Sequence, residues 1–159
     1  MQTVDLLPDT TRLWIYQSNR PFTATEIAEL KPSLSRFATQ WVSHSQNLQS
    51  FAEVYHERFI VLMVDESQAG ASGCSIDASV RFLKLVENEY GVDLFDRMRF
   101  SFKLDGEIHT VPRDEFAKLY AEGKINDDTL VFDTLINTKK AFEDNFVKRL
   151  GESWHKRMV

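Results

Sequence analysis

The chain has a single cysteine, Cys74, among its 159 residues. One thiol cannot build a disulfide framework, and it excludes every C-x-x-C zinc or redox motif. Long hydrophobic runs are missing too. The longest covers residues 59–64, far too short to cross a bilayer, so no direct membrane insertion is expected. No basic-then-apolar segment opens the chain, and the expectation is a cytoplasmic protein. Basic charge is scarce: 19 Lys and Arg against 24 Asp and Glu give a formal net charge of −5. Binding to duplex nucleic acid would need a compensating basic face, because phosphate contacts dominate that affinity. The nearest set is Lys139, Lys140, Lys148, Arg149, Lys156 and Arg157, but Glu143, Asp144 and Glu152 are interleaved with it. It reads as a solvated helix face, and no duplex nucleic acid partner is expected. The four histidines stand far apart, with no H-x-x-x-H or H-E-x-x-H pair, so no metal is expected. A Walker A loop needs G-x-x-x-x-G-K-[ST]. Residues 70–75, GASGCS, have neither that spacing nor the lysine, and no LSGGQ-type signature occurs. ATP hydrolysis therefore has no motif to support it.

What is present is an ordinary globular composition, 43% hydrophobic and 27% charged, in a length that suits one domain or one domain with a small appended module. Residues 12–17, RLWIYQ, have the aromatic and β-branched content of a strand. Thr23 followed by Glu26 is a capping box, and Ile27, Leu30, Leu34, Phe37 and Trp41 form one stripe on a helix of about five turns. Pro32 falls off that stripe and is expected to kink the helix on its exposed side. Residues 50–55 and 58–64 predict a hairpin whose second strand, almost continuously apolar, is central and covered on both faces. Ile76, Val80, Leu83, Val86 and Tyr90 predict a second helix stopped by Gly91. Residues 98–103 alternate and continue through Asp105-Gly106, a hairpin signal, into 107–111. A short helix over 114–122, a strand over 129–132 and a final helix capped by Asn137 or Thr138 complete the order. The expected fold is α+β: a ferredoxin-like βαββαβ sandwich over residues 1–104, with a β-hairpin and helix extension over 105–159 packed on it as one compact unit.

Two resemblances accompany this reading. The stretches WIYQSNRPF (14–22), RFIVLMVDESQAGASGCSIDASVRF (58–82), YGVDLFDRM (90–98), DTLVFDTLINT (128–138) and ESWH (152–155) resemble a family of short uncharacterised bacterial proteins. Some of its members carry the label ABC transporter ATPase, an activity that the missing Walker motif does not support here. Residues 106–133, GEIHTVPRDEFAKLYAEGKINDDTLVFD, are similar to GYF-type modules, which bind proline-rich peptides through an aromatic pocket. The likeness implies a protein or peptide partner for the extension. Thr110-Val111-Pro112-Arg113 stands where those modules have Gly-Pro-[FY].

The candidate site is the turn from Gly70 to Asp77. As a plain strand-to-helix connection it needs small residues for close packing, Ser72, Cys74 or Ser75 as N-cap, and Asp77 at the positive helix end. As a binding site, Ser72, Gly73, Cys74, Ser75 and Asp77 would hold an anion on free amides and hydroxyls, with Asp65, Glu66 and Asp77 opposing it or taking a hard cation instead. Cys74 as a nucleophile would need a histidine in reach, and His44 and His155 are the candidates. Trp14 and Tyr16 share one strand face and would stack bases only if that face were open. Ser153-Trp154-His155 reads as a closing plug. Two functions stay open: a non-catalytic binding or interaction module, and a small enzyme or small-molecule-binding protein built on this turn. An open mixed-polarity pocket at the turn favours the second. A turn buried under the C-terminal residues favours the first.

Overall fold

The computed structural model describes residues 4–67 and 69–159. Gln68, two residues before the candidate turn, lies outside them. Strand β1 (Arg12–Gln17) leads into helix α1 (Ala24–Gln40), whose capping box is formed by Thr23 and Glu26. A two-residue-per-strand hairpin, β2 (Val42–Ser43) and β3 (Gln46–Asn47), precedes β4 (Gln49–Tyr55) and β5 (Phe59–Asp65). Helix α2 (Gly73–Tyr90) follows and stops at Gly91, which takes the left-handed conformation at φ 62°. Then come β6 (Arg99–Leu104), β7 (Glu107–Pro112), α3 (Arg113–Ala121), β8 (Leu130–Phe132), α4 (Lys139–Asn145) and β9 (Val147–Arg149). Short 3-10 turns lie at Val4–Leu6, Leu150–Glu152 and Trp154–Met158.

The fold is mixed α+β with antiparallel sheets. The first sheet has the order β1-β5-β4 and the second β7-β6-β8-β9. Strand β5 is central, and residues 59–64 are all 0% exposed. Its alternation sends Ile60, Leu62 and Val64 into one core with Leu30, Leu34, Leu83 and Val86 of the two long helices. Phe59, Val61 and Met63 enter a second core with Phe132 and Phe146 of the later chain. A third core, built on Phe100, Phe102, Phe116 and Leu150, lies on the far side of the second sheet under α3 and the C-terminal turns. Successive layers are thus helices, sheet, sheet, helix. Strand β6, which a ferredoxin-like sandwich would place beside β1, pairs instead with β7 and β8. On the edge of β1 away from β5, an isolated bridge joins Arg12 to Thr138.

A buried polar chain joins the two sheets. Ser101 Oγ donates to Gln17 Oε1 at 2.6 Å and shares a 2.6 Å bond with Thr110 Oγ1, to which Arg58 Nη1 donates at 2.9 Å. Arg58 is buried, its Nε has no partner among the described residues, and desolvation holds its pKa below the usual value.

Pro32 sits inside α1 on its exposed side, as the stripe required. The proline leaves one helix carbonyl without its donor and crowds it. Pro32→Ala is expected to raise the melting temperature, with a gain of about 1 kcal/mol or more in chemical denaturation. An unchanged or lowered value would mean that the fold needs the proline where it stands.

Candidate functional site

The turn after β5 is folded by its own acids. Asp65 Oδ1 accepts from the Ser67 amide at 3.0 Å, and Glu66 Oε2 accepts from the Ala71 amide at 2.9 Å. A Cβ on Gly70 would lie 2.9 Å from that same Glu66 oxygen. That oxygen is the far end of a flexible side chain, so a side chain on Gly70 would displace Glu66 from the Ala71 amide rather than be excluded. Ser72 is the N-cap of α2: its Oγ accepts from the Ser75 amide at 3.2 Å, and Ser75 Oγ accepts in return from the Ser72 amide. The helix thus begins three residues before the apolar stripe. Gly73 has no positive φ and open space around its Cβ position, so a side chain there is tolerated.

Of the five candidate residues, Ser72 and Cys74 reach one groove. Ser75 is buried, capping the helix with its side chain while its carbonyl accepts the Trp41 indole N–H at 2.7 Å. Gly73 and Asp77 are exposed and do not line the groove. The groove, about 460 Å³, lies between the end of α1, the β2–β3 turn and the start of α2. Cys74, Ala78 and Arg81 line one wall because residues four and three apart share a helix face. Phe37 and Trp41 form the opposite wall by the same spacing on α1, backed by Phe37–Phe82 stacking at 4.5 Å and a Trp41–Trp14 edge contact at 6.0 Å. His44 and Ser45 close one end from a turn in which both have positive φ, 50° and 65°.

The electrostatics of this groove are opposite to those of the chain. Neither Asp65, Glu66 nor Asp77 lines it, and no other carboxylate does. Arg81 reaches it with no ion pair to any described residue. A volume of this size, an aromatic wall and a few convergent polar groups are the ordinary make-up of a small-molecule site. A second groove of about 470 Å³ runs between the outer faces of α1 and α2 past Leu85 and Tyr90, but Glu29 and Glu89 stand in its wall.

The nucleophile reading lacks its base. Cys74 makes no hydrogen bond to His44 or to any other described residue. His155 lies in another core, its Nδ1 2.7 Å from Ser153 Oγ and its ring stacked on Trp154 at 3.8 Å. Burial pushes its pKa down to about 4. Trp14 and Tyr16 face the helices rather than solvent. Of the C-terminal bases all but Arg157 are engaged with described residues: Lys139 with Leu7 O and Glu143, Lys140 with Asp144, Lys148 with Asp133, Arg149 with Asp128, Lys156 with Asp127. Phe116, within the 106–133 stretch, is buried with Phe100 and Phe102 of β6 in the third core, and Trp154 packs against them, tied to Asp133 Oδ1 at 2.8 Å. Among the described residues, no group of three or more His, Cys, Asp or Glu is placed to hold a metal ion, and no helix is long and apolar enough to cross a membrane.

Fold and groove together define a mixed α+β protein with a ligand-sized, carboxylate-free groove at the entrance of its second helix. No family model, curated protein or solved structure matches the chain. Phe37, Trp41 and Arg81 were not read as site residues from sequence, although the spacings 37–41 and 74–78–81 carried the signal for the two walls, and His44 was read there only as a partner for Cys74.

Two outcomes are expected here. Cys74 is exposed, so a water-soluble disulfide reagent should label it in the folded protein. Cys74→Ser should shift stability by no more than about 0.5 kcal/mol. Labelling that waits for unfolding would contradict this placement. His155 stays neutral in the fold down to about pH 4, whereas an unfolded histidine takes up its proton near 6.5. The folded pKa is the lower one, so this contribution is complete above pH 6.5 and is lost as pH falls towards 4. It is on the order of 3 kcal/mol. In denaturant titrations from pH 7 to 4, His155→Phe should show a shallower fall than the parent chain. Parallel curves would show that His155 does not carry this dependence.

Proposed function

We propose that this is a non-catalytic binding protein that holds a small anion with a flat apolar body in the groove at the α2 entrance. The carrying observation is charge placement: in a chain of net charge −5, this groove has Arg81 and His44 in its wall and no carboxylate. The amide of Cys74, which no described residue accepts from, adds a donor at the positive end of α2. Trp41 and Phe37 supply a wall against which a planar body stacks. The unpaired thiol argues against covalent chemistry, since thiol activation needs an adjacent base or a charge partner.

The same reading takes the first sheet with α1 and α2 as a ferredoxin-like unit whose fourth strand is given up to the second sheet. Residues 105–159 are its GYF-like extension, used for packing rather than for holding proline-rich peptide. Membership of the short bacterial family and a cytoplasmic setting are part of the proposal, and the ATPase label is not. The test is a melting screen with nucleotides, aromatic carboxylates, aliphatic carboxylates and divalent metals. A ligand at 100 Kd adds about 2.7 kcal/mol. Flat anions are expected to raise the melting temperature in a saturable way, Arg81→Ala to abolish the rise, and Mg-ATP to release no phosphate above a boiled control. No rise with any flat anion, or an undiminished rise in Arg81→Ala, would overturn the proposal.

A further inference from the structure

The outer edge of β1 points to a second, independent site. In an antiparallel strand the N–H and C=O of each residue point to one side, and the side alternates along the chain. The Leu13 amide donates to Asn137 O at 3.0 Å and the Lys139 amide to Thr11 O at 2.8 Å, on the side away from β5. The same side therefore receives the N–H and C=O of Ile15. A continued ladder would give Ile15 O the amide of Leu135, but that amide donates to Asp133 Oδ1 at 2.9 Å. Neither main-chain group of Ile15 has a partner among the described residues. Yet Ile15 is only 6% exposed. Both groups lie in the wall of a cleft, and unpaired main-chain groups on a strand edge are a ready template for one more length of extended chain.

The gap where the ladder opens is a cleft of about 250 Å³ between β1 and residues 134–137. Arg12 and Arg97 line it, no carboxylate does, and Arg97 has no ion pair to a described residue. Both ends are closed. The Arg12–Thr138 bridge seals one, and at the other the cleft shrinks to a neck of about 20 Å³ beside Gln17, whose Nε2 donates to Arg99 O at 2.9 Å. A through-running strand cannot lie there, but the last residues of a chain can.

We propose that this cleft takes the extended C-terminal end of a partner polypeptide, its main chain paired with Ile15 and its terminal carboxylate on Arg97. Strand addition supplies the main-chain bonds, and carboxylate capture supplies the choice of a chain end. The cleft shares no lining residue with the α2 groove, so either site can fail alone.

The experiment uses the full chain, labelled with ¹⁵N, and a random-sequence pool of N-acetylated tetrapeptides. The pool is prepared once with free C-terminal carboxylates and once amidated. The free-acid pool at millimolar concentration is expected to shift the Ile15 amide resonance and slow its hydrogen exchange at least tenfold. The amidated pool should do neither. Arg97→Ala should lose the response at an unchanged melting temperature. An Ile15 amide indifferent to the free-acid pool, an equal response to the amidated pool, or a full response in Arg97→Ala would each overturn the assignment.

Discussion

Strand β5 is the constraint on which the rest of the molecule depends. Six consecutive residues with no exposed surface need a covering layer on each face. Apolar burial is worth roughly 1.5–3 kcal/mol for each large side chain. Residues 59–64 alone therefore contribute on the order of 10 kcal/mol, as much as the net stability of a typical domain. The first core closes within residues 14–95, where α1 and α2 cover one face, and the second needs the later chain, where β8 and α4 cover the other. Trp41 is held against Ser75 because both helices are pressed onto the same face, and the groove is the gap left where they meet.

The second sheet is fixed by direction-dependent bonds as well as by area. Gln17, Ser101, Thr110 and Arg58 form a buried chain between the sheets, and apolar contact alone would not set their register. A buried guanidinium without a carboxylate costs stability, and its lowered pKa records that desolvation. Lys148 and the Trp154 indole meet at Asp133, which closes the C-terminal turns over the third core.

Local chemistry was legible in the sequence and long-range pairing was not. The Thr23–Glu26 box, the Gly91 stop, the Asp105-Gly106 turn and the double burial of β5 each depend on neighbours in the chain, and each stands as read. Alternation in β6 told that Phe100 and Phe102 share a face against Ser101 and Lys103. It could not tell whether β1 or β8 would be the partner, because pairing is decided by what the rest of the chain offers. The start of α2 was left open between Ser72, Cys74 and Ser75 as N-cap, since its first turn, Gly73-Cys74-Ser75, carries no large apolar residue to choose among them. The site was legible as a turn but not as a groove. Ser75 faces inward through its cap and Asp77 faces away, while Trp41, His44 and Arg81 arrive from other parts of the chain or from further along the helix. The β2–β3 hairpin that carries His44 has two residues in each strand, too few for any periodicity to show.

The central claim, an anion-selective groove beside an accessible thiol, is open to direct capture. Cys74 can be equilibrated under a mild reductant with a library of small disulfide-linked fragments, and the adducts counted by intact-protein mass spectrometry. Retention then depends on what each fragment finds beside the thiol. The account requires enrichment of flat fragments bearing a carboxylate or phosphate, and loss of that enrichment in Arg81→Ala. Equal capture of neutral, cationic and anionic fragments, or the same ranking in Arg81→Ala, would contradict it.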